Sequence, residues 1–92
     1  MKSILQDKKE CYICHAAEGL EEHHIFGGSR RRASEKHGCK VWLCRRHHTG
    51  ADGVQLNARK SLMLKREAQR RYEQLYGHEA FMSAFGKNYL EG

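Results

Sequence analysis

The sequence predicts a small α+β domain, and three observations lead to that class. The chain has 92 residues, enough for one domain with a thin hydrophobic core. Short motifs of cysteine and histidine accompany two segments with the length of β-strands, residues 20–26 and 40–44. The C-terminal third carries apolar residues at three- and four-residue spacing, as an amphipathic helix does. We therefore expect a metal-stabilised module of two strands and a helix, followed by a long helix and a short terminal helix.

The metal motifs are a Cys-x2-Cys pair, Cys11 and Cys14, and a Cys-x2-His pair, Cys44 and His47. Two such pairs commonly supply the four ligands of a tetrahedral structural zinc ion. An alternative set has Cys39 in place of His47, but four residues between Cys39 and Cys44 are a less usual spacing, so we favour His47. The start of the chain does not resemble a secretory signal, which favours a cytoplasmic, reduced protein whose cysteines bind zinc.

The elements of the module follow in order along the chain. Residues 1–10 are polar and predict a flexible arm, and residues 20–26 predict a short strand that ends at two glycines. Ser29 is suited to cap a helix over residues 30–37, because its hydroxyl can accept a hydrogen bond from an amide of the first turn. Gly38 is suited to end that helix. Residues 40–44 then predict the second strand, which leads into a helical turn over residues 45–48.

Two helices are expected in the C-terminal part. Asn57 is a suitable cap for a helix from about residue 58 to residue 76, and Gly77 should end it before a second helix over residues 78–85. The apolar stripe expected to pack on the metal module consists of Leu64, Ala68, Tyr72 and either Leu75 or Tyr76. The predicted division of the single domain is therefore an arm (1–10), a zinc module (11–57) and a helical extension (58–92).

The charge of the chain favours a polyanionic partner. Seventeen Lys and Arg residues stand against eleven Asp and Glu residues, for a formal net charge of +6. DNA is the expected partner, whereas no apolar stretch approaches the roughly 20 residues of a membrane span. The candidate phosphate contacts are Arg30, Arg31, Arg32, Arg45 and Arg46, although a solvated basic face is an equal alternative for each. The oligomeric state stays open.

Three segments also carry a resemblance to a known family: CYIC (11–14), EEHHIFGG (21–28) and VWLCRRHH (41–48). In this order they resemble the His-Asn-His endonucleases, or ββα-metal nucleases, which include small phage and prophage proteins. GADGVQLN (50–57) and FGKNYL (85–90) are similar to the phage-type members. The resemblance implies a ββα-metal fold, metal-dependent hydrolysis of DNA phosphodiester bonds, a role in DNA processing or recombination, and a phage- or prophage-encoded protein in the bacterial cytoplasm.

The resemblance also implies roles for the histidines. His23 would be the first ligand of a catalytic divalent ion, His24 the general base, His47 the fourth zinc ligand and His48 a second ligand of the catalytic ion. A histidine with an ordinary pKa of about 6.5 is mostly neutral at cellular pH and can take a proton from water. The cation would be Mg²⁺, Mn²⁺, Ni²⁺ or Zn²⁺, and imidazole ligands favour the last three over magnesium.

Two positions depart from the family pattern. The middle Asn of the family would stand where this chain has Cys39, and similar phage-type proteins have a histidine where it has Gln55. Gln55 is therefore a candidate neighbour of the catalytic metal. A second function class stays open, namely a non-catalytic, zinc-stabilised module that binds nucleic acid. The three histidines at positions 23, 24 and 48 favour the enzyme, because a zinc module needs only four ligands.

Overall fold

A computed structural model describes residues 2–90 and has a small α+β fold, as predicted. These residues form a two-stranded antiparallel sheet and four α-helices. The elements are β1 (Leu20–His24), α1 (Arg31–His37), β2 (Lys40–Cys44), α2 (Arg45–His48), α3 (Ala58–Tyr76) and α4 (His78–Phe85), with 3-10 turns at Gly28–Arg30 and Val54–Leu56. Within residues 2–90, no helix combines the length and the apolar character needed to cross a membrane.

The register of the sheet sends the two neighbouring histidines of β1 to opposite faces. His23 pairs with Val41, and His24 pairs with Lys40. Side chains alternate between the faces of a strand, while directly opposed residues of two strands share a face. His24 therefore lies on the same face as Lys40, and His23 lies on the face of Val41, which is fully buried.

The core joins the zinc module to the C-terminal helices. Its buried apolar residues are Cys11, Ile25, Phe26, Cys39, Val41, Leu43, Val54, Leu64, Ala68, Tyr72, Phe81 and Phe85. The Phe26 ring lies 5.6 Å from the Phe81 ring and 4.4 Å from the Phe85 ring, between centroids. The first three positions of the predicted stripe on α3 thus pack on the module as expected.

The predicted fourth position of that stripe is wrong, since Leu75 is 44% exposed and Tyr76 is 59% exposed. The chain turns back at Gly77, and α4 then places Phe81 and Phe85 within 6 Å of the Tyr72 ring. These two rings fill the space that another residue of α3 would have occupied.

The start of α1 and the end of β1 also differ from the prediction. Ser29 does not cap α1, because it lies within a 3-10 turn and the helix begins at Arg31 with no side-chain cap. The strand ends at His24 rather than at Phe26, whose amide and carbonyl are hydrogen-bonded to the Ser34 hydroxyl of α1 at 3.0 Å and 2.8 Å. The backbone of Phe26 is therefore bound to a helix and leaves the sheet.

The other predicted helix boundaries are confirmed. The Asn57 side chain accepts a hydrogen bond from the Lys60 amide at 3.0 Å, and α3 runs from Ala58 to Tyr76. Gly38 ends α1 in the left-handed conformation with φ of 72°. A Cβ atom there would lie 2.7 Å from the Lys2 carbonyl oxygen, so both the conformation and the close approach require glycine.

Residues 2–10 have no helix or strand, yet they make specific contacts with the rest of the domain. The Ile4 amide donates to the Gly38 carbonyl at 3.0 Å, and its carbonyl accepts a hydrogen bond from Arg71 Nε at 3.1 Å. Gln6 Oε1 accepts a hydrogen bond from the Trp42 amide at 2.9 Å. The segment therefore covers the free edge of β2, despite its polar composition.

Candidate metal centre and histidine cleft

Three cysteines and one histidine converge at the end of the sheet. The ligand atoms of Cys11, Cys14, Cys44 and His47 all lie within 4.8 Å of one another. Cys14 Sγ lies 3.7 Å from Cys44 Sγ, and His47 Nδ1 lies 3.2 Å from Cys44 Sγ and 3.9 Å from Cys11 Sγ. A tetrahedral zinc ion with ordinary bond lengths requires about 3.8 Å between two sulfurs and about 3.6 Å between sulfur and nitrogen. The cluster therefore has the dimensions to bind a metal such as zinc.

Local backbone structure positions these four side chains. The Cys11 amide donates to the Ala16 carbonyl at 2.9 Å, and the His15 amide donates to the Cys11 carbonyl at 2.8 Å, which closes a tight turn around the first pair. Cys44 ends β2 and also precedes the first residue of α2, so His47 follows it by one helical turn. The second pair is therefore formed where a strand passes directly into a helix.

The thiols of Cys11 and Cys39 differ in their pKa. Burial raises the pKa of Cys11, but hydrogen bonds from the backbone amides of Cys14, Cys44 and Ile13 outweigh it and bring the pKa down to about 6. This value favours the thiolate, which is the form that binds a metal. Burial alone raises the pKa of Cys39 to about 12, and this thiol lies in the core. The described residues thus favour the ligand set with His47 over the set with Cys39.

A second cluster joins His23 of β1 to His48 of α2. Their rings meet edge to face with centroids 5.1 Å apart. His48 Nδ1 lies 2.8 Å from Glu21 Oε1, and His48 Nε2 lies 3.1 Å from Gln55 Nε2. Burial lowers the pKa of His23 to about 4, and the neighbouring charges of His48, His24 and Lys65 act in the same direction. His23 is therefore neutral at cellular pH, as an imidazole ligand of a metal must be.

A third cluster occupies the other face of β1. His24 Nε2 lies 3.0 Å from Glu35 Oε1 of α1 and 3.7 Å from Glu22 Oε1. Lys40 Nζ contacts carboxylate oxygens of both glutamates. Glu22, His24 and Glu35 have the spacing of a metal site, but the ammonium group of Lys40 already pairs with both carboxylates and balances one of their two negative charges. A cation bound there would have to compete with Lys40.

One cleft of about 670 Å³ connects the two faces of the strand end. Its lining includes the three histidines to which the resemblance gives a catalytic role, together with Gln55: His23, His24, His48 and Gln55. Arg31 of α1 and Lys65 and Ser61 of α3 line the same cleft. Sequence reasoning did not select Lys65 or Ser61, because only the packing of α3 against the module brings them to the cleft. The signal available in the sequence was weak, a lysine among many on a basic helix.

The five candidate arginines have different surroundings. Arg31 lines the cleft, and Arg32 lies beside His24 in an adjoining depression. Arg30 and Arg45 are exposed and lie outside the lining of the cleft. Arg46 donates from Nε and from a terminal nitrogen to Asp52 Oδ2, at 2.9 Å and 2.8 Å. The Arg46 guanidinium is thereby directed to the turn that follows α2. Of the five arginines, Arg31 alone lines the cleft and is therefore the best placed to contact a ligand there.

Fold and site together define a small α+β protein with a Cys3His cluster able to bind a metal such as zinc and with a histidine-lined cleft beside it. Comparison of the chain with protein-family models, with curated proteins and with solved structures gives no match. A functional assignment therefore depends on the chemistry and geometry of the site residues.

Proposed function

We propose that this protein is a metal-dependent DNA endonuclease of the His-Asn-His (ββα-metal) type, with a structural zinc at Cys11, Cys14, Cys44 and His47. The observation that carries the proposal is that His23, His24 and His48 line one cleft, although they come from two elements and from both faces of β1. A structural zinc module has no need of these three imidazoles. Phage or prophage origin, the bacterial cytoplasm and a role in DNA processing or recombination follow from the family resemblance and belong to the same proposal.

The chemistry assigns different tasks to the three histidines. His23 and His48 would hold a divalent ion, which when bound neutralises charge on the scissile phosphate. Their rings are close enough to share an ion. Because the pKa of His23 is about 4, this imidazole is already neutral at cellular pH and need not release a proton to bind the ion. His24 would accept a proton from water as the water oxygen bonds to phosphorus. The phosphorus–O3′ bond breaks, and the products are a 5′-phosphate and a 3′-hydroxyl whose proton comes from solvent.

The basic side chains in the cleft support a phosphate-bearing substrate. Arg31 and Lys65 reach the cleft from two different helices, α1 and α3. A phosphate between them would meet positive charge from both sides, in addition to the general attraction of a chain with a net charge of +6.

A nuclease assay tests the proposal. Supercoiled plasmid and a branched DNA junction are incubated with the zinc-loaded protein and Mg²⁺, Mn²⁺ or Ni²⁺. We expect cleavage, and we expect His24→Ala to abolish it while zinc content and DNA binding stay unchanged. The matched control is His78→Ala, since His78 is an exposed histidine on α4 that lies outside the cleft and away from the Cys3His cluster. Cleavage by His24→Ala at the wild-type rate would refute the role of His24.

The alternative, a zinc-stabilised module that binds nucleic acid without cleaving it, is favoured by one contact. Both ring nitrogens of His48 already have hydrogen-bond partners, Glu21 and Gln55, so a metal must displace the Gln55 amide to reach Nε2. DNA binding without cleavage under any of the three metals would support this alternative.

A further inference from the structure

We infer that Glu35 is a positioning residue for His24: its carboxylate fixes the imidazole with the proton on Nε2, so that Nδ1 is left as the nitrogen that accepts a proton from water. The inference deepens the proposed nuclease function and rests on it for the role of His24. The orientation itself is a property of the folded protein, and it can be measured whether or not the protein cleaves DNA.

Helix α1 contacts strand β1 through Glu35 and His24. His24 Nε2 lies 3.0 Å from Glu35 Oε1, which is an ordinary hydrogen-bond distance. An ionised carboxylate only accepts hydrogen bonds, so the proton of the neutral imidazole must lie on Nε2. The remaining nitrogen, Nδ1, then carries the lone pair, and a general base needs that lone pair.

Glu35 is itself held in place by Lys40. Its other oxygen, Oε2, accepts a hydrogen bond from Lys40 Nζ. Lys40 stands directly opposite His24 in the sheet and is only 4% exposed. A buried ammonium group is costly unless it is paired, so the position of Lys40 makes a carboxylate at this place necessary. Glu22 also contacts Lys40 at 3.3 Å, and the four side chains form one connected network on this face of β1.

The helix that carries Glu35 is also anchored to the rest of the domain. Ser34, the neighbour of Glu35, is fully buried and bonds the backbone of Phe26 with its hydroxyl, which anchors α1 against the end of β1. The middle Asn of the His-Asn-His pattern has no counterpart here, because Cys39 stands at its position and is buried in the core. In this chain the helix inside the loop therefore supplies the group that orients the base.

The network predicts an unusual result for Glu35→Gln. Lys40 can only donate hydrogen bonds, so the amide oxygen of the new Gln should turn towards Lys40 and its NH₂ group towards His24. The NH₂ group donates, and it would therefore favour the imidazole tautomer with a free Nε2 and a proton on Nδ1. Adding Lys40→Met removes the ammonium group, which frees the amide to present its oxygen to His24. The carboxylate of Glu22, with Oε1 3.7 Å from His24 Nε2, then favours the original tautomer with the proton on Nε2.

The experiment measures the His24 tautomer by long-range ¹H–¹⁵N NMR of the imidazole nitrogens, on zinc-loaded protein well above the ordinary histidine pKa of about 6.5. His24→Ala identifies the signals. We expect the Nε2–H form in wild type, the Nδ1–H form in Glu35→Gln, and the Nε2–H form again in Glu35→Gln/Lys40→Met. The matched control is Glu18→Gln, which removes the same charge from an exposed glutamate outside the cleft and should leave the spectrum unchanged.

Kinetics on the same proteins supply the second readout. Glu35→Gln should lower kcat by about a hundredfold or more with little change in KM, because the substrate still binds while the base presents the wrong nitrogen. The double variant should recover much of that loss. A merely structural role would change zinc content or folding instead, and circular dichroism and elemental analysis check both.

The outcomes separate the inference from the nuclease proposal. A wild-type His24 with mixed tautomers or with the proton on Nδ1 overturns the inference, as does a Glu35→Gln spectrum identical to wild type. If Glu35→Gln fails to fold, the wild-type spectrum and Lys40→Met still decide, since Lys40→Met should keep the Nε2–H form. If the tautomers follow the prediction and the wild-type protein cleaves no DNA, Glu35 orients His24 and the proposed catalytic role of His24 is refuted.

Discussion

His47 and His48 are adjacent in the chain, but their side chains enter two different clusters. His47 Nδ1 lies 3.2 Å from Cys44 Sγ, in the Cys3His cluster, whereas the His48 ring lies 5.1 Å from the His23 ring. Neighbouring residues of a helix point about 100° apart, so one turn of α2 can serve both clusters. A metal at the first cluster would therefore also fix the position of His48 relative to His23.

Zinc removal should unfold the domain. A chain of 92 residues has a thin core, and the Cys3His cluster joins the turn at Cys11 and Cys14 to the start of α2. We expect one zinc per chain by elemental analysis and loss of helical circular dichroism on chelation. A stable fold in Cys11→Ser/Cys14→Ser, or purified protein without zinc, would contradict this prediction. Cys39→Ala is the control, because Cys39 lies in the core outside the cluster and alanine removes the thiol without burying a polar group.

Loss of His23 or His48 should weaken a second metal site in the cleft without removing zinc from the Cys3His cluster. His23→Ala and His48→Ala each delete one of two imidazole ligands, so we expect the affinity for Mn²⁺ or Ni²⁺ to fall about a hundredfold or more. Calorimetric titration of zinc-loaded protein measures it. His78→Ala should titrate like wild type, because His78 is exposed and lies outside the cleft, and equal affinities in all four proteins would place the second metal elsewhere.

Gln55→His should strengthen that second site. Gln55 Nε2 lies 3.1 Å from His48 Nε2, so an imidazole at position 55 would stand beside the other two. It adds a nitrogen donor that suits zinc, nickel or manganese better than an amide does. We expect tighter binding of the second metal and cleavage at lower metal concentration. Unchanged affinity in calorimetric titration would remove position 55 from the metal site.

DNA affinity should fall steeply with salt concentration. Basic side chains rather than readers of base edges would supply the binding, and each neutralised phosphate contributes about −0.9 to the log-log slope. Arg31→Gln should make the log-log slope shallower by about 0.9, the contribution of one phosphate contact, because Arg31 lines the cleft. Arg70→Gln, on an exposed part of α3 outside the cleft, is the control. An affinity that does not change between low and moderate salt would contradict binding through phosphates.

Local patterns were sufficient for most of the secondary structure. The bounds of β2, α2, α3 and α4 match the prediction, because strand alternation, the Asn57 cap and the glycines at helix ends act over a few residues. The predicted end of β1 was wrong because hydrogen bonds between Ser34 of α1 and the Phe26 backbone draw the chain out of the sheet. The predicted Ser29 cap was wrong because residues 28–30 form a 3-10 turn before α1 begins. The prediction that Leu75 or Tyr76 packs on the module was wrong because α4 folds back and places Phe81 and Phe85 in the core instead.

The sequence by itself determined the ligand types, their spacing and the likeness of the three histidines to a nuclease site. A Cys-x2-Cys and a Cys-x2-His pair can be recognised from local spacing alone. Only the tertiary structure decided which of these groups meet: Glu35 and Lys40 around His24, Gln55 against His48, and Lys65 at the rim of the cleft. These contacts depend on how α1 and α3 pack against the sheet. That packing is stabilised by the burial of many apolar side chains spread over the chain, so no short motif predicts it.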